Sequence, residues 1–364
     1  MKLTAPREDL LAPLQDVIGV VERRQTMPVL ANVLVSAREN RLSITGTDLE
    51  VELLATSHAN VQQIGDITLP GRKLLDIVRA LPENVPVTLS MEGERVSLRA
   101  GRSRFTLSSL PAAEFPVIED INAQVSLSVE QGELRRLIDK THFSMAQQDV
   151  RYYLNGLLLE TEGQALRAVA TDGHRLAVCE TQVEGLVSGQ QVIVPRKGVL
   201  ELQRILGTDG RVELAIGDKH IRAQIGNIRF TSKLIDGRFP EYGRVIPTNP
   251  TRRVLADREV LRQSLQRTAI LSNEKYRGIR LTARTNLLVV QAHNPDQEEA
   301  EDQVEVSYQG DEVEIGFNVN YLLDALAALE DEQVEIGLTD SSSSCLVHGP
   351  AVTHTRYVVM PMKL

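Results

Sequence analysis

The chain has 364 residues, 42% hydrophobic and 24% charged, with a formal net charge of −9. This is the composition of a folded protein with room for two or three domains of ~100–200 residues each, and it excludes disordered, fibrous and membrane-helix classes. Cys179 and Cys345 are too few for a disulfide framework or a cysteine zinc site, and Arg7, Glu8 and Asp9 interrupt any leader-like run, so a cytoplasmic protein is expected.

Leu10, Leu11, Leu14, Val17, Ile18 and Val21 recur in steps of three and four and predict an amphipathic first helix. Alternating strands follow, among them Leu42–Asp48, which ends in Thr-Gly-Thr-Asp. A second helix is predicted from Pro70, a residue suited to a first helical turn, through Leu74, Leu75 and Leu81. Strands at Val87–Met91 and Val96–Ala100 complete this first stretch.

The plan then repeats. Leu134, Leu137 and Ile138 open a second copy, Leu166–Asp172 repeats the strand and its turn, and Pro195 with Val199, Leu200 and Leu206 repeats the second helix. In the third copy the same parts are Val260, Leu261 and Leu265, then Leu288–Asn294, then Asn318 with Leu322, Leu323 and Leu329. The strand markers lie 124 and 122 residues apart, the helix markers 125 and 123. Two independent markers agreeing on one period predict three domains, 1–120, 121–245 and 246–364. Each would be an α+β domain of antiparallel sheet carrying two helices on one face.

Charge divides unevenly among the copies, at net −3, +1 and −7. Asp296, Glu298, Glu299, Glu301, Asp302 and Glu305 crowd ten residues of the third copy, whereas the first copy places Arg95, Arg99, Arg102 and Arg104 on strands leading to Phe105 and Leu107. Opposite runs on the two end copies predict a head-to-tail contact between different chains.

Motifs of catalysis are absent. No Walker A loop, Gly-x-Gly-x-x-Gly, His-Glu-x-x-His or Gly-x-Ser-x-Gly string occurs. Asp172-Gly173-His174-Arg175 resembles a catalytic cluster, but Asp and Gly at this repeat position read as a tight turn. Distant carboxylates could still gather in a fold, so a nuclease-like enzyme with a composite metal site stands as one alternative, and a protein-only scaffold as another. What does recur is basic and polar character after each first helix, at Arg23-Arg24-Gln25, Gln148-Asp149-Val150-Arg151-Tyr152-Tyr153 and Lys275-Tyr276-Arg277. Such side chains bond phosphate and sugar without reading bases. The net acidity argues against bulk nucleic-acid affinity, and seven Tyr and six Phe with no Trp leave little for base stacking.

Val21–Leu30, Gln148–Gly156, Ala170–Ala177, Ser272–Gly278 and Tyr357–Leu364 together resemble the signatures of the bacterial DNA polymerase III beta subunits, the sliding-clamp family. The resemblance runs along the whole chain. It implies a non-catalytic processivity subunit without cofactor or metal, forming a closed head-to-tail dimeric ring of six domains around duplex DNA. Twelve helices of ~10 Å each would line a circumference of roughly 120 Å.

The resemblance also implies site residues. Sequence-independent DNA contacts fall to Arg24, Gln148, Tyr152, Tyr153, Lys197, Tyr276 and Arg277. A groove for short apolar peptides of the replicative polymerase, clamp loader, other polymerases and repair proteins falls to Leu154, Thr171, Gly173, His174, Arg175, Leu176, Pro240, Arg244, Val245, Val358, Met360, Pro361 and Met362. The end Val-Val-Met-Pro-Met is too apolar for a free tail, with Tyr357 and Val359 expected in the core. Ser342 stands where related clamps often carry an apolar residue, a departure that bears on the depth of one groove wall. The dimer contact falls to Arg102, Arg104, Phe105, Leu107, Ile270, Leu271, Glu298, Glu299, Glu301 and Asp302.

Overall fold

The computed structural model describes residues 1–22, 27–118, 121–186, 189–352 and 354–363. Its α-helices are α1 (Arg7–Val17), α2 (Gly71–Ala80), α3 (Gln131–Asp139), α4 (Arg196–Ile205), α5 (Arg258–Ala269) and α6 (Val319–Ala328). That is two per predicted copy. The chain packs as two compact units, Met1–Leu134 with Lys197–Leu234, and Arg135–Arg196 with Ile235–Leu364. Each unit combines an end copy with half of the middle one, because strands pair across the copies.

In the first unit a five-stranded sheet runs Asn60–Gln63, Lys2–Pro6, Pro86–Glu92, Arg95–Ala100, Ser103–Ser108. Its eight-stranded sheet joins four strands of the middle copy, ending at Ile228–Lys233, to four of the first copy, beginning at Val51–His58. The seam is antiparallel, with Phe230 opposite Leu53 and Ser232 opposite Val51. Phe230 and Leu53 are both fully buried, so this seam is core rather than a loose contact.

The second unit repeats the construction. Its eight-stranded sheet joins Arg175–Gln182 of the middle copy to Thr355–Val359 of the third, with Ala177 opposite Tyr357. A four-stranded sheet runs Glu299–Glu305, Leu287–His293, Gly278–Arg284, Val313–Asn318. One core cluster takes Tyr357, Val359, Phe317, Leu322 and Leu265 from sheets and helices alike.

Local chemistry explains the helix ends. Asp257 caps α5 by accepting the Val260 N–H at 2.9 Å, and Asn318 caps α6 by accepting that of Asn320 at 2.9 Å. The first helix stops at Val17, short of the predicted Val21, and passes into a 3₁₀ turn at Ile18–Val20. Gly19 weakens the helix there, and its missing side chain leaves room for the Glu201 carboxylate of α4. Arg204 of α4 donates to the terminal carbonyls of Gln15 and Asp16, where a cation suits the helix dipole.

Glu52 occupies the place that Leu176 holds in the middle copy: each follows a turn and faces Thr47 or Thr171 across its hairpin. It is 1% exposed, accepts the Ile118 N–H at 2.8 Å and lies 3.9 Å from Arg229. Burial pushes its carboxyl pKa up. The folded unit therefore holds a proton that the unfolded chain releases, so this group's contribution to stability falls as pH rises above about 4.5. Glu52→Gln should remove that pH dependence and keep the Ile118 bond. Glu52→Ala should cost about 1–3 kcal/mol locally by orphaning the Ile118 N–H, read as faster hydrogen exchange at that amide.

Candidate partner groove and phosphate-facing loops

The turn from Thr171 to Arg175 is built by its own side chains. Asp172 Oδ1 accepts the N–H groups of His174 at 2.9 Å and Arg175 at 3.0 Å. Thr171 Oγ1 donates to the Arg175 carbonyl at 2.6 Å and accepts the Gly173 N–H at 3.1 Å. Gly173 has a φ of +87°, and a Cβ there would sit 3.0 Å from the guanidinium nitrogens of Arg151. The turn reading of Asp172–Arg175 holds. His174 contributes backbone, its carbonyl accepting the Met360 N–H at 2.9 Å.

Arg175 is a brace rather than a free cation. It donates to the Phe143 carbonyl at 2.7 Å, pairs with Asp172 and Asp324, and lies over the Tyr321 ring at 4.6 Å. Sequence reasoning missed Phe143, Tyr321 and Asp324, which are distant in the chain and carry no motif. Below the turn, Leu176 faces Val358 across the seam, and both join Val178, Leu158, Val169, Ile193, Phe239 and Leu346 in an apolar cluster. Leu154, Leu176 and Val358 are buried floor. Above them Val245 and Met360 are exposed, as are Pro240 and Arg244, while Pro361 and Met362 are half-buried.

The chain end is tied down, since Met362 N–H donates to the Gly316 carbonyl at 2.9 Å. Tyr357 and Val359 turn the other way into the core, as strand alternation requires. Ser342 spends its N–H and hydroxyl on Asp340 at 2.7 and 2.9 Å, joined by Ser343, and these donors hold the Asp340 carboxyl at about 2. It closes a turn before the strand Cys345–His348, whose first residue pairs with Val359.

Among the DNA candidates, Gln148 is exposed with a φ of +56° on a loop closed by Ala146 N–H to the Leu154 carbonyl at 3.0 Å. Asn155 and Arg151 both bind Asp149, and Arg151 holds that carboxyl at about 2. Tyr152 is exposed and packs edge-on against Tyr153 at 5.8 Å. Tyr276 is exposed beside Lys275, and Arg277 sits at a φ of +51°. Lys197 departs from the expectation of a free cation: its ammonium is engaged by Glu22 and the buried Asp48. Arg24 lies outside the described residues.

The dimer candidates fall on or beside two edge strands and at the end of α5. Arg104 is exposed, whereas Phe105 and Leu107 sit opposite buried Leu98 and Val96 and are half-buried. Glu298, Glu299 and Glu301 are exposed, Ile270 is 76% exposed at the end of α5, and Leu271 is half-buried. Arg102 is exposed just before its strand. Asp302 differs from the other acids, since alternation turns it to the helix side, where Arg267 of α5 binds it at 2.6 Å. Among the described residues no three His, Cys, Asp or Glu side chains gather as metal ligands.

Replacing Gly173 by alanine should strain the turn by about 1–2 kcal/mol and displace Arg151. Hydrogen exchange at the His174 and Arg175 amides should accelerate about tenfold, and unchanged exchange would show that the turn tolerates a side chain.

Comparison with known proteins matches three successive stretches of the chain. Residues 1–119, 128–241 and 243–363 match the N-terminal, central and C-terminal domains of the DNA polymerase III beta subunit. The beta sliding clamp of Pseudomonas aeruginosa is 54% identical and that of Escherichia coli K12 51% identical, each covering both chains completely. The crystal structure of the Pseudomonas aeruginosa DNA polymerase III subunit beta superimposes with a TM-score of 0.98 at 54% identity, over all of both chains. Caulobacter crescentus pol III beta does so with a TM-score of 0.97 at 41% identity, again over all of both. The chain belongs to the DNA polymerase III beta subunit family.

Proposed function

We propose that this chain is a DNA sliding clamp, a non-catalytic homodimer that encircles duplex DNA and tethers the replicative polymerase and its fellow clients. The observation that carries the reading is a pair of edge strands at the repeat positions that are joined elsewhere in the chain. Inside the chain, copy is joined to copy by one rule: the strand with Phe230 pairs with the one holding Leu53, and the strand with Tyr357 pairs with the one holding Ala177. The same position in the first copy is Phe105, on the outermost strand Ser103–Ser108. Its counterpart in the third copy lies on the outermost strand Glu299–Glu305.

The hairpins fix the register. Thr47 faces Glu52, Thr171 faces Leu176, and His293 faces Glu299, so Ala300 answers to Leu53 and Ala177. Phe105 would then lie opposite the partner's Ala300 and Arg104 opposite the partner's Glu301. Phe105, Leu107, Ile270 and Leu271 form the apolar centre, while Arg102 and Arg104 facing Glu298, Glu299 and Glu301 set orientation and association rate. Two such contacts close a ring of two chains, each contributing three domains at 1–120, 121–245 and 246–364.

Holding by a ring explains the acidic balance. Tight phosphate binding releases counterions and pins a protein in place, whereas a mobile clamp needs only weak contacts from Arg24, Gln148, Tyr152, Tyr153, Tyr276 and Arg277. Lys197 adds to these contacts while its ammonium also meets Asp48 and Glu22. The groove over Leu176 and Val358 would take one or two large apolar side chains, each worth about 1.5–3 kcal/mol, which suits exchange among clients. Tethering raises the polymerase's effective concentration at the primer end. No helix among the described residues is long and apolar enough to cross a membrane, in keeping with a cytoplasmic replication protein.

The test is topological. Loaded on nicked circular DNA, the protein should stay bound through high-salt washing and leave when the circle is cut. Release from intact circles at the same rate as from linear DNA would contradict encirclement.

A further inference from the structure

The strand Thr355–Val359 sends Val358 into the groove floor, and alternation sends Arg356 to the same face, about 7 Å away. Across the seam Arg356 stands opposite Val178, as Val358 stands opposite Leu176. The apolar floor therefore continues past Val358 into a cleft of about 440 Å³, walled by Leu158, Phe239, Tyr242 and Ile246 and sharing Pro240 with the groove.

The ionic groups facing this cleft are satisfied by one another, with one exception. Arg167 binds Glu160, Glu162 and Glu180 at 3.0, 2.9 and 2.9 Å, and Tyr242 donates to Glu160. Arg238 and Arg244 both reach Glu241. Arg356 has no ion-pair partner among the described residues, and its Nε is buried without a hydrogen bond. A guanidinium held half-buried beside an apolar shelf, with an orphaned N–H, is set up for a carboxylate.

We propose that Arg356 is an anion-binding position extending the peptide groove, taking an acidic side chain of a client peptide a few residues from its apolar anchor. This rests on reading the Leu176–Val358 shelf as the client groove. It makes Arg356 a determinant of which clients bind best, ranking acidic-flanked peptides above neutral ones with the same anchor.

The test uses the full-length dimer and short fluorescent peptides, acetylated and amidated, carrying a Leu-Phe anchor in a neutral background. A single Glu is walked along both flanks and compared with Gln at each position by anisotropy. One position should bind about fivefold tighter as Glu, an advantage that shrinks with added salt. Arg356→Ala should bring the Glu and Gln peptides to equal affinity, and Arg356→Lys should retain part of the difference. No advantage at any position, or one that survives Arg356→Ala, overturns the proposal while leaving the groove intact. If the Gln peptide fails to bind, or binds Met360→Asp as well as the unaltered protein, the groove reading fails and the proposal falls with it.

Discussion

A sheet that ends must leave a row of backbone N–H and C=O groups without partners, and everything in this molecule follows from where those rows are placed. Within the chain two such rows are spent on joining repeats, through Val51–His58 with Ile228–Lys233 and Arg175–Gln182 with Thr355–Val359. Each seam buries an aromatic residue, Phe230 or Tyr357, against the neighbouring copy. The corresponding Phe105 is only half-buried, which suits the closing seam proposed for it. Charges on the two strands differ in sign, so like edges repel and unlike edges attract. Assembly is thus the repeat rule carried from one chain to the next.

The same economy governs the proposed client groove. Its floor is the outer face of a seam, so the residues that join two copies also make the apolar shelf on which a peptide can lie. At the seam of the first unit Glu52 takes the position of Leu176, replacing floor with a buried carboxylate that is bound to Ile118 and near Arg229. One substitution in a repeated frame is enough to make one junction apolar and the other structural. Arg175, Asp172 and Asp324 then hold the rim of the apolar one in a single geometry.

Much of this was legible in the sequence because it repeats. Period and order predicted six helices and antiparallel sheets, since helix faces and turn residues are local signals. The turn at Asp172–Arg175 was legible for the same reason. What sequence could not supply is pairing between distant charges. Folding brings Asp48 and Glu22 to Lys197, and alternation turns Asp302 towards Arg267, pairings that no local signal announces. Arg356 carries one readable signal, its two-residue offset from Val358, but the cleft that gives the offset meaning is built from residues more than a hundred positions away.

The central claim is the register of the closing seam, and cysteine pairs measure it directly. In a chain with Cys179 and Cys345 replaced by serine, Arg104→Cys with Glu301→Cys should cross-link rapidly into a covalent dimer on mild oxidation, because directly opposed Cβ atoms lie about 4.5–5.5 Å apart. Pairing Arg104→Cys with Glu299→Cys or Gln303→Cys should be markedly slower, a register shift of two residues. Fastest cross-linking by either shifted pair, or none by any pair in a sample that sediments as dimer, would contradict the account.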